Sequence, residues 1–178
     1  MSDYITSRSP FIEPELRNAL GNFATGVTVI TTIGNNRTKV GVTANSFSSV
    51  SLDPPIVLWS LKKTSSSLSS FDECGHFAVH ILASTQVDLS NRFASKSPDK
   101  FAGVSHVTGF MGIPIIDDCI CVFECKTTER ISAGDHILFL AEVLSFSNHA
   151  KQGIDQEPLL FVQGQYAQSS PVAFETLK

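Results

Sequence analysis

The run Val27-Thr28-Val29-Ile30-Thr31-Thr32-Ile33 constrains the fold more than any other stretch of the chain. All seven side chains are β-branched, and such residues are stiff at χ1 and favour strands over helices. Gly34-Asn35-Asn36 follows as a tight turn, and Thr38 to Val42 returns as a second strand. The pair is a hairpin, which commits this part of the chain to antiparallel pairing. Further strand-type segments are Ile56 to Leu61, with the only tryptophan, Trp59, then His76 to Leu82, Cys119 to Ile131, and Ile137 to Phe146. Ser132 to His136 joins the last two as a turn. Leu159 to Val162 is a short late strand that Gly164-Gln165-Tyr166 continues.

Helical segments are few. Pro14 to Ala24 carries Leu16, Ala19, Leu20 and Phe23 on one stripe, and Pro14 and Glu15 suit its first turn. A short helix opens in Lys62 to Ser67, with Leu68 and Phe71 on its inner side. Thr85 to Phe93 and a single turn at Pro98 to Phe101 complete the set, and Gly103 to Pro114 reads as loop. Six or seven strands joined by hairpins or short loops predict a mainly β, antiparallel, Greek-key-like barrel with helices outside it. An alternating βαβ sheet does not fit this order.

Composition bounds the partners. The 178 residues suit one domain (1–178, core about 15–168), and 42% hydrophobic content supports a real core. A net charge of −4 with pI 5.7 predicts no nucleic-acid partner and no anionic-membrane partner. Charged residues make up only 17%, against about a quarter in ordinary chains, which is consistent with a second subunit covering part of the surface. The polar start, Met1 to Pro10, has no signal-type stretch, and no apolar run nears the ~18 residues of a membrane span. A cytoplasmic location is expected.

Cys119, Cys121 and Cys125 alternate with Phe123 on one strand face. They read as buried free thiols, since the paired spacing of zinc ribbons is missing; no metal site is expected. His80, flanked by apolar neighbours, reads as a hydrogen-bonded, half-buried residue.

Several enzyme classes find no motif here: no Gly-x-Gly-x-x-Gly after the first strand, no phosphate-binding P-loop, no His-Glu-x-x-His, no nucleophile elbow. Asp117 and Asp118 are adjacent, so on a strand they point to opposite faces, not into one acid–base site. What remains are polar clusters at strand ends: Ala24-Thr25-Gly26, the stretch Thr43 to Pro55, and Gly134-Asp135-His136. The second joins two strands through a serine-rich loop that ends in a stiff Pro-Pro. Its N–H groups and hydroxyls suit a flat polar ligand, and equally suit bonds to its own backbone. If the barrel brings the clusters together, they make one polar rim around an apolar floor, which a flavin ring would need, as would other flat ligands.

Phe23-Ala24-Thr25-Gly26-Val27-Thr28-Val29, Thr43-Ala44-Asn45-Ser46-Phe47 through Pro54-Pro55, Phe77-Ala78-Val79, Arg92-Phe93 and Gly134-Asp135-His136 stand in an order that resembles the short-chain flavin reductase family, over about residues 15–168. These proteins are the reductase partners of two-component flavin-dependent monooxygenases. The resemblance implies a split β-barrel that works as a homodimer, binds FMN or FAD, and takes hydride from NADH or NADPH to flavin N5 before passing reduced flavin to a monooxygenase. It places Thr25, Gly26 and Val27 near the ring, Thr43, Ala44, Asn45 and Ser46 at its edge, and Ser49 and Val50 near the ribityl chain or phosphate. Lys62 and Ser66 are implied phosphate contacts, and Phe77 and Phe93 are aromatics beside flavin or nicotinamide. Gly134, Asp135 and His136 would hold the nicotinamide nucleotide, with His136 positioning rather than exchanging a proton, since the hydride step needs no protein acid or base.

Three departures stand out: His80 where the family pattern has Asn, Ala141 where many members have glycine, and a segment Leu160 to Tyr166 without basic residues. The last leaves no local arginine for a 2′-phosphate and favours NADH. Two other readings use the same residues. One is a flavin- or haem-binding split-barrel accessory or sensor protein without turnover. The other is an oxidase of the pyridoxamine-phosphate type, which requires a basic phosphate pocket that the linear sequence does not assemble.

Overall fold

The computed structural model describes residues 10–148 and 157–170; the polar start up to residue 9 and the tail from residue 171 lie outside the described residues. In chain order the elements are α1 (Glu13–Leu20), β1 (Thr25–Gly26), β2 (Thr28–Ile33), β3 (Lys39–Ala44), β4 (Ser48–Leu52), β5 (Pro55–Lys62), α2 (Leu68–Cys74), β6 (His76–Ile81), α3 (Val87–Ala94), β7 (His106–Thr108), β8 (Pro114–Ile116), β9 (Cys121–Ala133), β10 (His136–Asn148), β11 (Leu160–Val162) and β12 (Gln165–Ala167). Seven strands form one antiparallel sheet in the order β3-β2-β6-β9-β10-β5-β4. The sheet curls so that β3 comes up against β5. The two are not laddered, and this seam is the split in the barrel. At its mouth the Ser46 hydroxyl accepts from the Ser60 N–H at 2.9 Å and donates to the Ser60 carbonyl at 3.2 Å. One side chain thus supplies the link that a ladder would have made.

The central strands are buried on both faces, which explains the unbroken apolar and β-branched runs of β2 and β6. Ile30, Phe77, Val79 and Cys125 face one core, built around Trp59, Phe71 and Phe139. Val29, Ala78 and Val122 face the other, with Leu82, Ile113 and Cys119. Trp59 is fully buried and stacks on Phe139 with centroids 4.8 Å apart, while Phe71 and Phe77 meet it edge-on. Such pairs add about 0.5–1.5 kcal/mol each beyond simple burial.

His80 is fully buried, not half-buried as its alternation suggests. Its Nδ1 donates to the Val29 carbonyl at 3.0 Å, and its Nε2 accepts the Ile116 N–H at 3.0 Å. An N–H facing Nε2 fixes the neutral tautomer. Burial pushes its pKa down to about 4, against smaller upward pulls from the Val29 hydrogen bond and Glu124. The ring ties β6 to both β2 and β8.

Several sequence-based boundaries are corrected. Within Thr43 to Pro55, residues Ser48–Leu52 form β4, laddered to β5, so the stretch is a short loop, Asn45-Ser46-Phe47, then a strand and a two-residue turn at Asp53-Pro54. Pro98 to Phe101 is not a helical turn; the Asp99 carboxylate accepts the N–H groups of Phe101 and Ala102 instead. Gly103 to Pro114 is not plain loop, since β7 pairs with β8. Gly164-Gln165-Tyr166 does not continue β11: Gln163 and Gly164 both take positive φ, 50° and 78°, and turn the chain into β12. The three cysteines do not share a face. Cys119 precedes β9 and packs in the core opposite that of Cys125, and Cys121 is only half-buried. Burial pushes the Cys119 and Cys125 thiols up to about 12. The helix expected over Pro14 to Ala24 ends at Leu20, and its apolar stripe meets no core among the described residues: Leu20 and, beyond the helix, Phe23 are 67% and 79% exposed.

Candidate active site

The split opens into a cleft of about 930 Å³. Its floor is β3, running from Lys39 to Ala44 and on into Asn45 and Ser46. One wall is the end of β5 with Lys62 and the hydroxyl-rich Thr64–Ser67 link to α2. The other wall is the end of α3, from Phe93, and the loop through Lys100. Among the described residues no Asp or Glu lines this cleft, whereas Lys39, Lys62, Lys96 and Lys100 all do. In a chain of net charge −4, that concentrates positive potential at one concave site.

Local contacts explain how each wall is held. Thr43 donates its hydroxyl to the Ser90 carbonyl at 2.6 Å, which ties β3 to α3. Ser90 in turn meets the Tyr166 hydroxyl at 2.9 Å, and Tyr166 donates to Asn91. Gly41 is obligatory at the floor: a Cβ there would lie 2.6 Å from Phe93 Cδ1. Lys100 donates to the Phe93 carbonyl at 2.7 Å and the Gly41 carbonyl at 3.2 Å, which clamps the loop onto β3. Partial burial pushes the Lys100 pKa down.

A second cavity of about 1160 Å³ lies between α1, β1, the β11–β12 turn and the same Asn45-Ser46 pair. Thr25 and Phe161 line it, with Asn22 and Gln163, whose side chains bond each other at 2.9 Å. Asn45 and Ser46 are therefore the boundary between two concave spaces.

His136 lines the cleft and pairs across the ladder with Lys62. Its Nδ1 meets Asp135 Oδ1 at 2.8 Å, and this hydrogen bond holds the exposed Asp135 carboxyl below its ordinary range. Gly134 takes φ +57° in the two-residue turn, and its carbonyl accepts from Lys63 Nζ at 2.6 Å.

The residues picked from the sequence thus divide. Thr43, Ala44, Asn45, Ser46, Lys62, Ser66, Phe93 and His136 converge on the cleft, and Thr25 joins them across Asn45-Ser46. Gly134 and Asp135 sit at its margin without lining it. Gly26 is exposed on β1 and Val27 is buried beneath it. Ser49 and Val50 lie on the exposed edge strand β4, Val50 at its bulge, outside both cavities. Phe77 is corrected from ligand aromatic to core residue, because its position on β6 points it at Trp59 with no exposure. Lys39, Lys96 and Lys100 were missed. Dispersed between residues 39 and 100, they carry no motif, and only the fold gathers them. They also supply the basic pocket that the linear order could not assemble.

An open-seamed antiparallel barrel with a basic, hydroxyl-lined cleft in the seam is a split barrel with one candidate anion-binding site in its seam. The chain belongs to the flavin reductase family: the flavin reductase like domain matches residues 20–170. It is 44% identical over 140 residues to the reductase component of the flavin-dependent trigonelline monooxygenase of Acinetobacter baylyi, covering 79% of this chain and 45% of that one. The FMN reductase (NADH) SmoA of Agrobacterium fabrum is 41% identical over 154 residues, 86% of this chain and 84% of that one. The NADH:FAD oxidoreductase SgcE6 of Streptomyces globisporus superposes with a TM-score of 0.85 at 33% identity, covering 98% of each chain. The chain spans under half the length, 45%, of each of the first two curated relatives it matches.

Proposed function

We propose that this chain is an NAD(P)H-dependent flavin reductase that reduces FMN or FAD and supplies reduced flavin to a partner flavin-dependent monooxygenase. The observation that carries the reading is the seam cleft itself: lined by no carboxylate among the described residues, bounded by four lysines, and ending at the unladdered loop Asn45-Ser46. That donor set fits a flavin nucleotide. Asn45 and Ser46 would meet the ring edge, while Lys62 and the hydroxyls of Ser65 to Ser67 would hold the phosphate. Bound flavin supplies the hydride acceptor. The protein's part is to orient the two nucleotides and to meet developing negative charge with fixed dipoles. His136, anchored by Asp135, would hold the nicotinamide nucleotide from the Lys62 side, and Thr25 would approach the ring from the second cavity. With no arginine between Leu160 and Tyr166, NADH is the favoured donor.

The reading extends to assembly. Leu52 at 92% exposure, Phe23 at 79%, Phe146 at 68% and Leu20 at 67% are large apolar side chains, and a homodimer whose second subunit covers such residues is part of the proposal. The whole chain, 1–178, is taken as one domain. Among the described residues no helix is long and apolar enough to cross a membrane, and a cytoplasmic location is part of the proposal.

The test is NADH and NADPH consumption in air with FMN, FAD or riboflavin added in turn. Saturable, flavin-dependent oxidation supports the reading. Flavin binding without turnover in any combination refutes it in favour of an accessory flavoprotein.

A further inference from the structure

We infer that the seam cleft selects the dinucleotide FAD over FMN, with Lys96 and Lys100 holding the second phosphate and the exposed Ala94–Pro98 wall receiving the adenosine. This rests on the proposed flavin site and deepens it.

The argument starts from what FMN would leave unused. A ring at Asn45-Ser46 with its phosphate at Lys62 and Ser65 to Ser67 engages one end of the cleft and one of its two walls. β3, the floor, has six residues and extends about 17 Å at about 3.3 Å per residue. At its far end the cleft continues between Lys39 and the loop Ser95-Lys96-Ser97-Pro98. The whole cavity, about 930 Å³, sits at the top of the ~300–1,000 Å³ range of small-molecule sites. FAD differs from FMN by one added adenylate, and this far end has the chemistry for it. Lys96 is exposed and faces no acidic lining residue. Lys100 is held by two backbone carbonyls, which use two of its three ammonium hydrogens. That fixes the ammonium in place before any ligand arrives, so little side-chain entropy is lost on binding. Ser95 and Ser97 add hydroxyls, and the exposed Ala94 and Pro98 add apolar surface for a purine. Lys39 is set apart by its contact with His106 Nε2 at 2.7 Å and is assigned no phosphate.

The same lysines would also suit the diphosphate of the nicotinamide nucleotide, so binding must be measured without it. The experiment titrates the protein with FAD, FMN and riboflavin, following flavin fluorescence at low ionic strength with no NADH present. It is repeated on Lys96→Ala and Lys96→Glu, which leave the Lys100 clamp intact. The expected result is a Kd for FAD at least tenfold below that for FMN. Lys96→Ala should shrink that ratio several-fold and Lys96→Glu should abolish it, with FAD affinity falling more than FMN affinity and riboflavin, which carries no phosphate, unchanged. Equal wild-type affinities for FAD and FMN overturn the inference, as does an FAD-to-FMN ratio that Lys96→Ala leaves unchanged. Neither result touches the reductase reading, which fails separately if bound flavin is never reduced. Selective FAD binding by an inactive protein would uphold the inference alone.

Discussion

Acid should destabilise this protein through one buried ring, and the size of the effect follows from the structure. His80 has a pKa near 4 when folded and about 6.5 when the chain is unfolded. Above pH 6.5 neither state holds the proton, and stability is at its full value. Between pH 6.5 and about 4 the unfolded chain takes up a proton that the native state refuses, so stability falls by about 1.4 kcal/mol per pH unit. Below pH 4 both states are protonated, and this loss levels off at about 3 kcal/mol. The physical origin is that a protonated Nε2 can no longer accept the Ile116 N–H, and that a charge would sit in the core beside Val29 and Ala78. The control is His80→Asn, whose amide can donate and accept but does not titrate. Urea denaturation followed by Trp59 emission, at fixed protein concentration and at several pH values from 7.5 to 4.5, gives both curves. Carboxylates elsewhere contribute equally to each. The wild type should lose about 2–3 kcal/mol more than the variant over this range. Parallel curves would refute the reasoning, whatever the offset between them at neutral pH.

Four further outcomes are expected. Gly41→Ala drives a methyl group into Phe93 and should cost about 1–3 kcal/mol, read by urea denaturation, and should weaken flavin binding, read by fluorescence titration. Ser46→Ala removes the bridge to both backbone groups of Ser60 and should cost about 1–3 kcal/mol, with a matching loss of flavin affinity; unchanged values of both would show that the seam is held elsewhere. His136→Ala should raise the KM for NADH much more than the Kd for flavin, a split that steady-state kinetics and flavin titration measure directly. In native protein at pH 8, a thiol reagent should label Cys121 and Cys74 well before Cys119 and Cys125, whose thiolates burial suppresses; mass spectrometry of early time points decides this.

The strands legible in the sequence are those whose side chains do the packing. β2, β5, β6, β9 and β10 announce themselves by apolar or β-branched runs, since their burial is what those residues are for. β4 escaped because an edge strand of serines buries little and looks like a loop by composition. β7 and β8, at three residues each, are too short for any period to register. The β11–β12 reversal turns on Gln163 at φ 50°, a conformation glutamine does not advertise. In the candidate site, the loop Asn45-Ser46 and His136 were readable because they sit at strand ends within compact motifs. Phe77 was misplaced because alternation tells which residues share a face, not which face meets a ligand. Lys39, Lys96 and Lys100 were invisible because they come from β3 and the loop after α3, and only the closure of the barrel makes them neighbours of Lys62.

Trp59 gives the molecule a built-in optical gauge. The single indole is walled in by Phe71, Phe77 and Phe139, and its N–H has no hydrogen-bond partner among the described residues. Its emission should therefore lie far to the blue and respond to the barrel interior, blind to solvent at the cleft mouth. β5, the strand that carries it, also carries Ser60 and Lys62 of the seam. A nucleotide settling into that seam would be reported by a chromophore one strand position away, without any label being added.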